Sequence, residues 1–527
     1  MSLSKLGYFI KEKYQWRSVN LRQSTVVIKG DSLCYHLYFN NYRWQNGGNY
    51  YEFYSYLVEF FRMLEAQKTR AYVVMNGADT SAVVYKERCS QRLQYVTDIR
   101  TSHMNSVRKS VLPLFAKTVF VDAMRDCRIS FFIADGDGDP DCVAVANHNH
   151  CPILGEDTDF FVFNIDEGYI PLYDSEGSLI DFEGTVKCYN YKAFDSQMGC
   201  SSAHRLQLAL VLESRKSLMT RRKGVCDDIE DLLDNIKDEP LDLARYRLIN
   251  DKTHPYYRVV PRSFWARTTT LDRLNSKIPC WILSEYKLGM FNQSMMQLLV
   301  RESTWRYSNV IEDTRQRSAW SVTFKPRRYI IGVLSQLLRY KDHIKDTERT
   351  GVPCNLTLSR VQLKEKHNQV LPVPLKDILS IDITERQRIL VKCFDCKHIQ
   401  VSLDKIPIDL KLAVITCRVW LKSNDQAFAS FLLPLVFCIL ACSGKYPMPE
   451  DIKPSDHVDM ERLHSFAQWQ CVLHHGIALN QLLGNAFRYI SPARLFSCDV
   501  VEHFCVNPPP QPLQELPSVM ISVITKQ

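Results

Sequence analysis

Short β-branched runs alternating with helical stretches fill roughly the first 200 residues, and that rhythm limits the fold more than any other feature. "STVVIKG" (24–30) is an apolar run stopped by glycine, which predicts a buried strand. "YEFYSYLVEFFRMLEAQK" (51–68) places Phe53, Leu57, Phe60, Phe61 and Leu64 on one helical face. "AYVVMNG" (71–77) repeats the strand-then-glycine pattern, and helical stretches follow at about 80–98 and 109–126. "ISFFIA" (129–134) reads as the third strand, "CPILG" (151–155) as the fourth and "FFVFN" (160–164) as its continuation or a fifth. Strands alternating with helices predict a mostly parallel sheet with flanking helices. In such sheets ligands gather beyond the carboxyl ends of the strands, so the residues after each strand are the ones to inspect.

Those positions are rich in acid. "IADGDGDPDCVAVANH" (133–148) carries Asp135, Asp137, Asp139 and Asp141, and "LGEDTDFFVF" (154–163) carries Glu156, Asp157 and Asp159. Two carboxylates about 4 Å apart repel by roughly 4 kcal/mol at an effective dielectric of 20, so something positive is expected between them. A calcium loop of the EF-hand type fails, because Pro140 stands where the obligatory glycine belongs and Ala146 where the bidentate glutamate belongs. A helix start, with Asp139 as N-cap and Pro140 at the first helical position, accounts for Asp139 and Asp141. It leaves Asp135, Asp137 and the second cluster unexplained. A Mg²⁺ or Mn²⁺ site formed by acids from adjacent strand ends covers them all, and paired ions of this kind hydrolyse phosphodiesters.

The wider composition sets looser bounds. A chain of 527 residues predicts two to four domains, and a net charge of +8 permits nucleic-acid contact without requiring it. The 18 cysteines are scattered without a framework, which reads as reduced thiols in an intracellular protein, the nucleus included. No secretory leader is apparent in "MSLSKLGYFIKEKYQW", and "AFASFLLPLVFCILAC" (427–442) is short for a membrane span and predicts a buried helix instead. The expected organisation is an α/β domain at 1–200, a charged helical or linker region at 201–320 that includes "DDIEDLLDNIKDE" (227–239), and a mainly helical domain at 321–527. The "CFDCKH" segment (393–398) lacks a second ligand pair for zinc, and its thiols are expected to be buried.

Six stretches together resemble the asteroid family, a branch of the flap-endonuclease/XPG nucleases with a PIN-like fold. They are "VVIKGDSLCYHLY" (26–38), "GGNYYEFYSYLVEFFRML" (47–64), "YVVMNGAD" (72–79), "VFVDAMRDCRISFFIADGDGDPDCVAVAN" (119–147), "CPILGEDTDFFVFNIDEGYIPL" (151–172) and "FKPRRYIIGVLSQLL" (324–338). The resemblance implies a PIN-like, mostly parallel sheet with flanking helices, followed by a mainly helical C-terminal region. It implies a metal-dependent nuclease site in which Asp137, Asp139, Asp157 and Asp159 hold Mg²⁺ or Mn²⁺. It also marks two departures: Lys29 stands where the family carries an aspartate after the first strand, and Asn76 where it carries another after the second. Those replacements change the pocket charge by two units and one unit, so the site is expected to be partly degenerate and a metal cofactor to be held weakly or not at all. The implied alternatives are a binding protein, whose partner is nucleic acid or a protein in growth-factor receptor signalling, and an active endonuclease for single-stranded or flap DNA. Lys86, Arg88 and Arg92 are the expected phosphate contacts in the enzyme reading, although a solvated helix face is the favoured explanation for them. A later family acid falls near Arg215, and "TRRKG" (220–224) is a short basic patch. Asp31 and Asp79 are expected to point elsewhere. Nothing in this reading calls for a membrane partner.

Overall fold

A computed structural model describes residues 4–78, 111–173, 179–214, 225–238, 278–301, 304–305, 308, 310–313, 315–338, 345–350, 355–360, 369–423, 429–452, 459–509 and 515–526. It divides into two compact units. One comprises Met1–His36, Glu59–Gly77 and Cys127–Thr269, and the other Leu37–Val58, Ala78–Asp126 and Thr270–Gln527.

The first unit opens with helix α1 (Ser4–Lys13) and strand β1 (Arg17–Asn20) and continues into β2 (Thr25–Lys29). Helix α2 (Gly30–Asn41) follows β2 without a break, and α3 (Tyr50–Ala66) leads into β3 (Arg70–Met75). Both helices contribute residues to each unit. Then come β4 (Ser130–Ile133), α4 (Asp139–Asn149), β5 (Ile153–Gly155), β6 (Tyr169–Pro171) and β7 (Thr185–Cys188), followed by α5 (Tyr191–Met198), α6 (Ser202–Ser214) and α7 (Val225–Asp238). Five strands form one sheet in the order β4-β3-β2-β5-β6, with every neighbour pair parallel. β1 and β7 form a separate antiparallel pair.

This α/β architecture follows from the residues. The β2 side chains Val26, Val27 and Ile28 are all buried, as expected of a central parallel strand apolar on both faces. On α3 the predicted stripe of Phe53, Leu57, Phe60, Phe61 and Leu64 is buried throughout. One strand expectation fails. Residues 160–164 form no strand: Thr158–Phe161 is a 3₁₀ turn, and the fifth strand is Tyr169–Pro171. The cause is local. The Asp157 side chain accepts from the Asp159 backbone N–H and turns the chain inward, so Phe160 and Phe161 enter the core from a turn.

The sheet order places β2 at the centre, with connections running toward opposite edges on its two sides. The reversal brings the carboxyl ends of β2, β3, β4 and β5 to one crevice.

The second unit is mainly helical. Its elements include α8 (Phe324–Leu334), α9 (Lys411–Lys422) and α10 (Met460–Leu482), together with an antiparallel hairpin of Lys345–Thr350 and Asn355–Arg360. The apolar segment near 430 is a helix, Ala429–Cys442, with Pro434 inside it. No helix among the described residues is long and apolar enough to cross a membrane. Cys393 and Cys396 are buried free thiols.

Candidate functional site

Lys29 ends β2 and turns its ammonium into the crevice. Nζ donates to Asn76 Oδ1 at 2.8 Å, lies 3.5 Å from Asp137 Oδ1 and bonds directly to Asp139 Oδ1. The pair is almost completely dry: Lys29 and Asp139 are each only 3% exposed. Burial works to strip the lysine of its proton, but Asp139 and then Asp137 outweigh it and hold the ammonium well above its ordinary range. On Asp139, burial favours the protonated carboxyl while Lys29 favours the carboxylate.

The walls of the crevice are shaped around this ammonium. A side chain at Gly138 would start 3.2 Å from Val74 Cγ1 and 3.3 Å from Asn76 Oδ1, and one at Gly155 would start 3.1 Å from the Lys29 Cβ. These glycines therefore provide close approach. Asn76 Oδ1 also accepts from the Gly138 backbone N–H at 2.8 Å, so the residue after β3 ties the acidic loop after β4 to the same lysine. Asp31, expected to point elsewhere, joins the site through Asn76. It is buried, and its Oδ2 accepts from the Asn76 N–H at 2.6 Å. Its place at the start of α2, two residues after the end of β2, was the available signal.

The structure brings Asp139, Asp157 and Asp159 together, with one carboxylate oxygen from each lying within 4.8 Å of the others. Asp137 reaches Lys29 but is half exposed and stands outside that trio. Glu156 turns toward His36, with 3.9 Å between Oε2 and Nε2. Asp139 is not the N-cap of α4. Gly138 takes that position without a side-chain cap, because the Asp139 carboxylate is committed to Lys29. Lys86, Arg88, Arg92, Asp79, Arg215 and the "TRRKG" patch lie outside the described residues.

A divalent ion needs oxygen ligands and an uncontested charge. The trio supplies the oxygens, but Asp139 is already bonded to an ammonium. A divalent ion about 4 Å from that ammonium would be repelled by roughly 8 kcal/mol at an effective dielectric of 20. With Lys29 seated here, the residues do not fit the paired-ion arrangement of a phosphodiester hydrolase.

Comparison with known proteins adds to the geometry. Residues 438–512 match the Asteroid N-terminal domain model. The human single-strand DNA endonuclease ASTE1 is 24% identical over 573 residues, covering 92% of this chain and 83% of that protein. Protein asteroid of Drosophila melanogaster is 33% identical over 162 residues, covering 29% of this chain and 18% of its own length. Among solved structures, human GEN1 in complex with Holliday junction DNA aligns with a TM-score of 0.31 and 12% identity, covering 74% of this chain and 98% of that one.

Proposed function

We propose that this chain, a member of the asteroid family, keeps the nuclease scaffold with its metal replaced by a lysine, and acts by binding nucleic acid rather than by cutting it. The observation that carries this reading is the Lys29 ammonium, buried and bonded to Asp139 and Asn76 at the meeting point of the strand ends. In an active site of this class, bound metal would activate water and stabilise the leaving oxygen. Here Lys29 neutralises one buried carboxylate permanently and cannot polarise water, because its donors are turned to protein acceptors. Asn76 preserves the hydrogen bond to the Gly138 loop while removing a charge. The crevice keeps its shape and loses its catalyst. Asp157 and Asp159 stay at its rim. The nucleic acid is DNA, single-stranded or flap, and the site of action lies inside the cell, the nucleus included.

The test is cleavage of single-stranded and flap DNA by purified full-length protein with Mg²⁺ or Mn²⁺. The wild type is expected to be inactive, and Lys29→Asp combined with Asn76→Asp is expected to gain metal-dependent cleavage that Asp157→Asn removes again. Wild-type cleavage abolished by Asp157→Asn alone would overturn the reading in favour of a working endonuclease.

A further inference from the structure

The second unit carries a surface whose chemistry is opposite to that of the acidic crevice. Helix α9 presents Arg418 and Lys422 one turn apart on the same side. Arg418 is buried and acts as a fastener. Its Nη1 donates to the Ile524 carbonyl at 2.6 Å and to the Val523 carbonyl at 3.4 Å, and its Nη2 lies 2.5 Å from His398 Nε2. Lys526 Nζ reaches Ser402 Oγ at 3.0 Å. These contacts hold the end of α9, the His398 turn and the last helix together, so Lys422, His398 and Lys526 share one exposed face. Lys325, half exposed at the start of α8, joins that face through its ion pair with Asp395.

The charge balance is one-sided. Arg418, Lys422 and Lys526 act on His398, and Arg418, Lys422 and Lys325 act on the buried Cys396, against Asp395, which Lys325 already engages. Slight burial and then the fields of Arg418, Lys422 and Lys526 hold His398 below its ordinary range. A polyanion seated here would reverse that field. Beside Lys325, Phe324 is 48% exposed, with the Arg328 guanidinium stacked 3.8 Å from its ring centre. An exposed aromatic braced by arginine is a platform on which a base can stack. Cations spaced along one face together with a stacking ring match a single-stranded nucleic acid better than a lipid headgroup layer, which has no planar base to use the ring.

We propose that Lys325, His398, Lys422 and Lys526 form a landing surface for the phosphate backbone of a single strand, with Phe324 stacking a base. This rests on the reading that the chain binds nucleic acid, and it assigns part of that binding to a place other than the acidic crevice.

The experiment is fluorescence anisotropy of a labelled 20-nucleotide oligothymidine with the full chain over a salt series. Lys422→Glu combined with Lys526→Glu is expected to weaken binding at least about tenfold and to flatten the salt slope by about 1.4 for two lost contacts. Phe324→Ala is expected to weaken binding about tenfold with the slope unchanged. Asp395→Asn is expected to tighten binding, which no loss of folding could mimic. Binding of the wild type with the same affinity and slope in the double variant overturns this surface and leaves nucleic-acid binding standing. A wild type that binds no oligonucleotide overturns both. Capture on phosphatidylserine vesicles, lost in the double variant, would assign the face to a membrane and overturn the proposal as stated.

Discussion

Lys29 in the first unit and the adjacent His474 and His475 in the second are enclosed by protein, and burial pushes all three toward their neutral forms. The outcomes are opposite. Lys29 keeps its proton because Asp139 and Asp137 face it. His474 has Asn292, the rings of Phe115 and Trp320, and His475 around it, and burial takes it down to about 4. His475 is pushed well below its ordinary range by burial, by His474 and by Arg327. Burial alone therefore does not decide the charge; the partner does. The buried stretch of α10, Leu463–Leu482, contains no Asp, Glu, Lys or Arg, whereas the crevice contains a charge because it contains the opposite one.

The largest break in that comparison comes from removing the cation. Lys29→Met leaves Asp139 buried without its partner, and stability in a chelator should fall by about 3–5 kcal/mol, read by denaturant unfolding. Mn²⁺ should restore part of the loss by occupying the vacated place among Asp139, Asp157 and Asp159, while leaving the wild-type midpoint unmoved. A loss that Mn²⁺ does not touch would mean that the lysine is only packing.

The histidines give the next effect. His474 has a folded pKa of about 4, below the unfolded 6.5, so the unfolded chain binds more protons between those values. Stability is then fully present above pH 6.5 and is lost as pH falls toward 4, by about 3 kcal/mol for this one residue. His474→Gln should flatten that part of the stability profile. An unchanged slope would show that His474 is not the group being protonated.

Much of this was legible in the sequence, and the remainder is missing for identifiable reasons. The central strands showed because Val26, Val27 and Ile28 leave a β-branched run no alternative, and the acidic loops showed because carboxylates at strand ends have few bland explanations. The position of Lys29 after the first strand was also readable, and its ammonium does meet the acids. The fifth strand was misplaced because three residues ending in Pro171 at a sheet edge carry almost no periodic signal, whereas the aromatic run at 160–164 carries a misleading one. The N-cap role expected of Asp139 failed because a local rule was overridden by a partner 110 residues away. Asp31 could not be assigned because the direction of its side chain depends on the register between β2 and β3. The basic face around His398 was invisible, since its members come from four separated segments brought together by Arg418.

The smallest effect makes the sharpest test of whether the partner, rather than the number of nearby charges, decides the outcome. Asp137 and Asp139 are both within ion-pair reach of Lys29, but the Asp139 side chain is 4% exposed and that of Asp137 is 50% exposed. Water screens Asp137, and an exposed pair contributes about 0–1 kcal/mol. Asp137→Asn should therefore cost under about 1 kcal/mol, while Asp139→Asn should cost several times more because it leaves the ammonium dry and uncompensated. The two variants are isosteric with the wild type, so packing is held constant and denaturant midpoints compare them directly. Equal losses would show that the two carboxylates share the lysine charge across the crevice, and a buried Lys29–Asp139 pair could then no longer be separated from a diffuse acidic field.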